Sequence, residues 1–138
     1  MGMPRDIEAR RYYRVAYQRL DEGFLILRQL EKPTIATYLT GYAVECILKA
    51  LLIASTPPQG RAMVLRSFRG GAGHDLLGLA ERVAQCGARM PPDVRKQLVR
   101  VTLWSTDLRY EPGEIKSADA RQFMAAAQTI VEWADGSM

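Results

Sequence analysis

The sequence is poor in the residues that build metal centres and disulfide frameworks. It has one histidine, His74, and two cysteines, Cys46 and Cys86, with neither a CxxC nor an HxxxH spacing. Structural zinc sites need several such ligands at characteristic spacings, so we expect no metal and no cofactor. Both cysteines fall in apolar helical patterns, which predicts buried free thiols rather than a disulfide.

Lysine is scarce as well, since 15 of the 19 basic residues are arginine. The net charge of the chain is +4. The planar guanidinium group of arginine binds phosphates and carboxylates through paired hydrogen bonds, which the ammonium group of lysine cannot do. The composition is therefore compatible with nucleic-acid contact, and a solvated surface that binds nothing is the alternative. The N-terminal MGMPRDIEARRYYR lacks the apolar segment of a secretory signal, so we expect a cytoplasmic protein.

Strand-type alternation is also rare, and apolar residues recur at helical spacing along most of the chain. The spacing predicts helices over about 6–30, 33–54 and 75–87, and a further helix from Pro91 to a stop at 111–113. A last helix is predicted from a cap at Ser117 to Ala134, and AMVLRSF predicts only a short helical turn. We expect one domain over residues 1–138, an all-α antiparallel up-and-down bundle of four to five helices.

The second predicted helix, which contains TIATYLTGYAVECILKALLIA, is long enough to raise the question of a membrane span. Glu45 and Lys49 lie near its middle, and each would cost about 2.5–3.5 kcal/mol at a bilayer centre. A helix buried in a soluble bundle is therefore predicted, with Gly41 allowing close approach of a neighbour. The two charges form an i,i+4 pair, and Arg109 is the expected ion-pair partner of Glu45. The alternative to this ion pair is that Glu45 and Lys49 form the polar bottom of a pocket together with His74 and Asp75.

The only histidine lies in RGGAGHDLLGL, separated from Arg69 by four residues and directly before Asp75, a predicted helix N-cap. Histidine can act as acid or base, and arginine can clamp a phosphate, so the pair has the residue types of a metal-independent ribonuclease. The glycine-rich linker is the least preorganised one available. We therefore favour a structural role in which His74 ties its loop to the bundle, with catalysis and ligand binding as alternatives.

Three motifs occur in order along the chain: ATYLTGYAVECILKALL at 36–52, HDL at 74–76, and Arg109-Tyr110. Together they resemble the HEPN domain family of small helical-bundle proteins. The resemblance implies a homodimer. It also implies one of two functions: a metal-independent ribonuclease, or a non-catalytic module. Such a module binds RNA or a nucleotide, or is the partner of a small nucleotidyltransferase. Such proteins often belong to toxin–antitoxin or other defence systems. Active members carry R-x4–6-H late in the bundle, with a polar residue after the arginine, where this chain has Gly70.

The leading prediction is a homodimeric HEPN-like module that binds RNA or a nucleotide, or partners a minimal nucleotidyltransferase. Its predicted ligand-binding residues are the charged groups near the three motifs, namely Arg109, Asp75, Glu45, Lys49 and Arg66. The first alternative is an endoribonuclease that uses His74 and Arg69. The second is a purely structural interaction protein. The five tyrosines of the first two predicted helices are expected in the core or a dimer interface, with base stacking as the alternative.

Overall fold

The computed structural model describes residues 2–138. Within that range the chain forms six α-helices and no strand, so the predicted all-α bundle is confirmed. The helices are α1 (Ile7–Leu25), α2 (Pro33–Ala54), α3 (Arg61–Ser67), α4 (Leu76–Gln85), α5 (Pro92–Val101) and α6 (Ser117–Gly136). The number of helices is one higher than the expected four to five, because α3 is a seven-residue helix where only a turn was predicted.

Helix α1 begins where the sequence predicts and ends in an unexpected form. The Asp6 side chain caps it by accepting a hydrogen bond from the Ala9 amide at 2.9 Å. After Leu25 the chain continues as a π-helical segment, Ile26–Leu30. Glu31 then adopts a left-handed conformation (φ 52°), which stops the helix and turns the chain towards Pro33, the first residue of α2.

Helix α2 is the centre of the bundle and packs against α1, α4 and α6. Its large apolar side chains, including Ile47, Leu48 and Leu51, are fully buried. The helix is long and apolar enough to cross a membrane, yet 78% of its most apolar window is buried inside the protein. Burial by neighbouring helices explains its composition, as the sequence predicts.

Helix α5 is shorter than predicted, because it ends at Val101 instead of continuing towards residue 110. Beyond its end, Trp104 turns inward and its Nε1 donates a hydrogen bond to the Tyr38 carbonyl oxygen of α2 at 3.0 Å. A Cβ added at Gly41 would overlap the Trp104 indole. Gly41 therefore allows close approach, as predicted, but of an indole ring rather than of a helix.

A 3-10 helix, Thr106–Tyr110, follows this inward turn and carries Arg109. The Ser105 hydroxyl starts it by accepting a hydrogen bond from the Asp107 amide at 3.0 Å. The predicted fourth helix is thus two elements, which changes the direction in which Arg109 projects.

Two local predictions are wrong. Ser117 does not cap α6; the cap position belongs to Lys116, and Ser117 is the first residue of the helix. Cys46 is a buried free thiol as expected, but Cys86 is exposed. Cys86 follows the last residue of α4 and precedes Gly87, whose φ is +97°, so the apolar pattern of that helix has already ended there.

Candidate functional site

Two opposite charges are buried together on α2. Glu45 is 4% exposed and Lys49 is 5% exposed. Lys49 Nζ lies 2.9 Å from Glu45 Oε2, which confirms the i,i+4 pair. The ammonium group also lies 5.0 Å from the ring centroid of Phe68 and 5.6 Å from that of Tyr12. Ion pairing and the aromatic faces together offset the cost of removing these charges from water.

The second carboxylate oxygen of Glu45 binds the histidine. His74 Nδ1 lies 2.7 Å from Glu45 Oε1, while the imidazole side chain as a whole is 42% exposed. A carboxylate that accepts from Nδ1 fixes the tautomer and the ring orientation. Nε2 makes no hydrogen bond within residues 2–138, so it is the ring nitrogen that has no protein partner there. The imidazole therefore joins the buried charge pair to the surface.

The glycine-rich linker before His74 is folded rather than extended. Residues Gly71–His74 form a 3-10 turn, and the Gly73 amide donates to the Gly70 carbonyl at 3.2 Å. A Cβ at Gly73 would overlap the carbonyl of Phe68, so this glycine is needed for close backbone packing. The linker that the sequence predicts to be poorly organised is a 3-10 turn here, from which the His74 side chain reaches Glu45 of α2.

Asp75 acts as the helix cap that the sequence predicts. Its Oδ1 accepts a hydrogen bond from the Gly78 amide at 3.1 Å and closes the first turn of α4. The cap fixes the backbone directly after His74. Asp75 therefore positions the histidine from one side, and Glu45 positions it from the other.

Two tyrosines of α2 connect the histidine to an arginine. The Tyr42 ring meets the His74 ring edge-on, with centroids 6.1 Å apart. The hydroxyls of Tyr42 and Tyr38 are 3.1 Å apart. Burial, with the hydrogen bond to Tyr38 second, raises the pKa of Tyr42, so its hydroxyl remains protonated at neutral pH.

Arg109 stands at the other end of this tyrosine pair. Its side chain is exposed and stacks on Tyr110, with the guanidinium carbon 4.7 Å from the ring centroid. The neighbouring Tyr38 hydroxyl raises the pKa of Arg109. Within residues 2–138 the guanidinium forms no ion pair with a carboxylate, so its charge is available to an anion.

The predicted ion pair between Glu45 and Arg109 is wrong. Both oxygens of Glu45 are occupied, one by Lys49 and the other by His74. Arg109 lies on the 3-10 helix that follows the early end of α5, with the two tyrosines between it and the carboxylate. The alternative grouping of Glu45 with His74 is the one that the structure contains.

Arg69 and Arg66 form no hydrogen bond or ion pair with these side chains within residues 2–138. Both arginines are exposed, Arg66 in the last turn of α3 and Arg69 two residues after that helix. Within residues 2–138 there is no hydrogen bond or ion pair between Arg69 and His74. The arginine connected to the histidine through side-chain contacts is Arg109, which is 35 positions further along the sequence.

Three residues of the site, Tyr38, Tyr42 and Trp104, were not among the predicted site residues. The available signal was their spacing, because Tyr38 and Tyr42 are four residues apart and Tyr42 is three before Glu45. Residues at these separations share a face of a helix. The Trp104 ring contacts Tyr42 edge-on, with centroids 5.1 Å apart, a contact that depends on the unpredicted inward turn after α5.

This combination of side chains is suited to anion binding and to proton transfer. Arg109 offers a planar set of donors, and His74 offers a titratable nitrogen oriented by a carboxylate. In the part of the chain that the structure describes, no three His, Cys, Asp or Glu side chains are grouped so that they could hold a metal ion.

Comparison with known proteins identifies the family. The HEPN domain profile matches residues 8–137, nearly the whole chain. No curated protein and no solved structure matches the chain. The match spans all six helices, and it includes His74, the two tyrosines of α2 and Arg109. The chain therefore belongs to the HEPN domain family.

Proposed function

We propose that this HEPN protein binds a phosphate-bearing ligand, an RNA or a nucleotide, on the surface formed by His74, Tyr42, Tyr38 and Arg109. We term this surface the histidine–arginine face. The observation that supports it best is the 2.7 Å contact that holds an exposed imidazole on a buried carboxylate. The same contact ties the loop to α2, as the favoured structural role of His74 predicts, and it leaves Nε2 without a partner within residues 2–138.

Charge and geometry favour a phosphate over other ligands. Arg109 presents its guanidinium to solvent, and guanidinium groups bind phosphate oxygens through paired hydrogen bonds. His74 Nε2 donates to a phosphate oxygen when the ring is protonated. The two groups flank a pair of tyrosine hydroxyls, so the face contains donors along its whole length.

Not every predicted ligand-binding residue contacts the ligand in this proposal. Glu45 and Lys49 are buried, and they act by orienting His74. Asp75 caps α4 and fixes the backbone beside the histidine. Arg66 is exposed on α3, where it contributes long-range attraction for a polyanion.

A binding experiment with matched arginine variants tests the proposal. Anisotropy of a labelled single-stranded RNA is measured over a series of salt concentrations for the wild type, Arg109→Ala, His74→Ala and Arg95→Ala. Arg95 is an exposed arginine beside Met90, at another end of the bundle, so its variant removes the same charge elsewhere. We expect Arg109→Ala to weaken binding and to lower the salt slope by about 0.7.

His74→Ala is expected to weaken binding as well, because it removes the Nε2 group that donates to the phosphate in this proposal. Equal losses for Arg109→Ala and Arg95→Ala would show diffuse electrostatic attraction, and the proposed face would then be wrong. No binding at any salt concentration would rule out an RNA ligand.

A second candidate function, metal-independent RNA cleavage, is favoured by the His74–Glu45 contact. A carboxylate-oriented imidazole can accept the proton of a ribose 2′-hydroxyl through Nε2. The 2′-oxygen then bonds to phosphorus and the 5′-oxygen leaves with a proton from an acid, giving a 2′,3′-cyclic phosphate and a 5′-hydroxyl. In a homodimer the acid would be His74 of a second copy. Cleavage of RNA in EDTA by the wild type, but not by His74→Ala, is expected; equal cleavage, or none, contradicts it.

We propose in addition that the protein is a cytoplasmic homodimer that works with a minimal nucleotidyltransferase in a toxin–antitoxin or defence system. HEPN membership supports this setting. Light scattering tests the dimer, and a monomer at micromolar concentration contradicts it. Co-expression with the product of a neighbouring nucleotidyltransferase gene tests the partner, and separate elution of the two proteins would contradict it.

A further inference from the structure

Four side chains of α2 form one row along the helix, namely Tyr38, Tyr42, Glu45 and Lys49. Their separations of four, three and four residues place them on the same face. From position 38 to position 49 the row covers 11 residues, which corresponds to about 16 Å along the helix axis. Arg109 neighbours the first member of the row, and His74 binds the third. The histidine–arginine face therefore accounts for the row except at its Lys49 end.

A further arginine, Arg82 of α4, lies at the Lys49 end of the row. Lys49 Nζ is 5.0 Å from the ring centroid of Phe68, and the guanidinium carbon of Arg82 is 5.7 Å from the same centroid. Arg82 Nη2 also donates a hydrogen bond to Ser67 Oγ at 2.7 Å. The aromatic ring and the hydroxyl together hold the guanidinium group in a defined position.

The charge of Arg82 is not balanced by a carboxylate in the part of the chain that the structure describes. Arg82 is half-buried, and its bond to Ser67 is the only hydrogen bond that its side chain makes within residues 2–138. Lys49, the other cation at the Phe68 ring, has Glu45 as its counter-ion. An ordered guanidinium group loses little conformational freedom when it binds an anion. Arg82 is therefore prepared for an anion that the described residues do not supply.

We propose that Arg82 is a second phosphate-binding arginine of the ligand site, at the opposite end of the row from Arg109, and that the ligand is a strand that reaches both. This inference rests on the proposed function and narrows its ligand from a nucleotide to an oligonucleotide. The phosphates of one stacked strand are about 3.4 Å apart along its axis. The length of the row, about 16 Å, therefore corresponds to about five nucleotides. His74, bound to Glu45 within the row, lies near a phosphate between the two ends.

A series of ligands of increasing length tests the proposal. Binding of adenosine monophosphate and of single-stranded oligoadenylates up to about eight nucleotides is measured by titration calorimetry. We expect the affinity of the wild type to rise with length up to about five nucleotides and to change little beyond that length. Arg82→Ala is expected to weaken binding of the longest strand about 5- to 10-fold. It is expected to leave binding of adenosine monophosphate unchanged, because a mononucleotide on the histidine–arginine face does not reach Arg82.

Three variants separate a ligand contact from a structural effect. Arg109→Ala is expected to weaken binding at every length, whereas Arg82→Ala acts only on long strands. A variant that only loosened α4 would weaken binding at all lengths by the same factor. Arg95→Ala removes the same charge at another end of the bundle and is expected to change affinity little. Arg82→Lys keeps the charge but lacks the planar group, so its affinity for the longest strand is expected between those of the wild type and Arg82→Ala.

An equal effect of Arg82→Ala at all lengths, or an effect on the longest strand no larger than that of Arg95→Ala, overturns the assignment of Arg82. If Arg109→Ala still weakens binding in that case, the histidine–arginine face stands without Arg82. Wild-type affinity that does not depend on length overturns the strand. Absence of binding by every ligand overturns both proposals together. Displacement of the longest strand by polyglutamate at the same concentration of charge shows that the site selects charge and not phosphate, and the assignment is then wrong.

Discussion

His74 Nδ1 lies 2.7 Å from Glu45 Oε1 and ties an exposed imidazole to the buried centre of α2. The histidine is therefore oriented by the core as well as by the turn and the helix cap on either side of it. Lys49, on the other oxygen of Glu45, keeps the carboxylate charge balanced inside the protein. This relationship explains why a histidine at the end of a glycine-rich turn can have a defined geometry.

Removal of one member of the buried pair is expected to destabilise the fold strongly. Glu45→Gln leaves the Lys49 ammonium buried without a countercharge, and we expect a loss of about 3–5 kcal/mol in the free energy of unfolding by urea. Glu45→Gln combined with Lys49→Met is expected to recover much of that loss, because no unpaired charge remains. Additive losses in the double variant would show that the two side chains are not coupled.

Gly41 is expected to tolerate no side chain. Alanine at this position would overlap the Trp104 indole, and we expect Gly41→Ala to cost about 1–3 kcal/mol of unfolding free energy through overpacking. Gly136→Ala is the control, because a Cβ at Gly136 has no neighbour within 4 Å, and its effect is expected within about 0.5 kcal/mol. Equal effects of the two variants in urea unfolding would contradict the Trp104 packing.

The two cysteines are expected to differ in reactivity. Burial raises the pKa of the Cys46 thiol to about 12, whereas Cys86 is exposed. A thiol-specific chromogenic reagent at neutral pH is expected to modify one thiol of the native protein and both in denaturant. Cys86→Ser should remove the native reaction. Rapid modification of that variant would show that Cys46 is accessible.

A tyrosine–aspartate contact between α1 and α6 predicts a loss of stability at alkaline pH. Burial, with the hydrogen bond to Asp135 second, raises the pKa of Tyr17. A group whose pKa is raised on folding contributes stability that is fully present below its unfolded value, about 10. That contribution is lost as the pH rises through the higher folded value. Urea midpoints near neutral pH and at about pH 11 are therefore expected to differ more in the wild type than in Tyr17→Phe; equal differences would contradict this assignment.

The sequence predicts the fold well where packing follows a regular period. The apolar spacing of α2, the cap at Asp75 and the stop at Pro33 depend on near neighbours, so they can be recognised without coordinates. The early end of α5 could not be predicted in the same way. It depends on the fit of Trp104 against Gly41, two residues far apart in the chain.

The candidate site was predictable only where it depends on residue type and on neighbours in the sequence. Glu45, Lys49 and His74 were identified by residue type and local spacing, and the structure brings them together. The choice of arginine was not predictable, because Arg69 is near His74 in sequence but forms no hydrogen bond or ion pair with it within residues 2–138. Arg109 reaches the site through the turn after α5 and the two tyrosines of α2.

Nuclear magnetic resonance of the imidazole tests most directly the claim that His74 lies at the ligand site. The chain has one histidine, so the ring signals need no assignment among residues. Addition of single-stranded oligoadenylate is expected to shift these signals and to saturate at the affinity measured by anisotropy, with a weaker response in Arg109→Ala. RNA binding that leaves the His74 signals unchanged would contradict the histidine–arginine face.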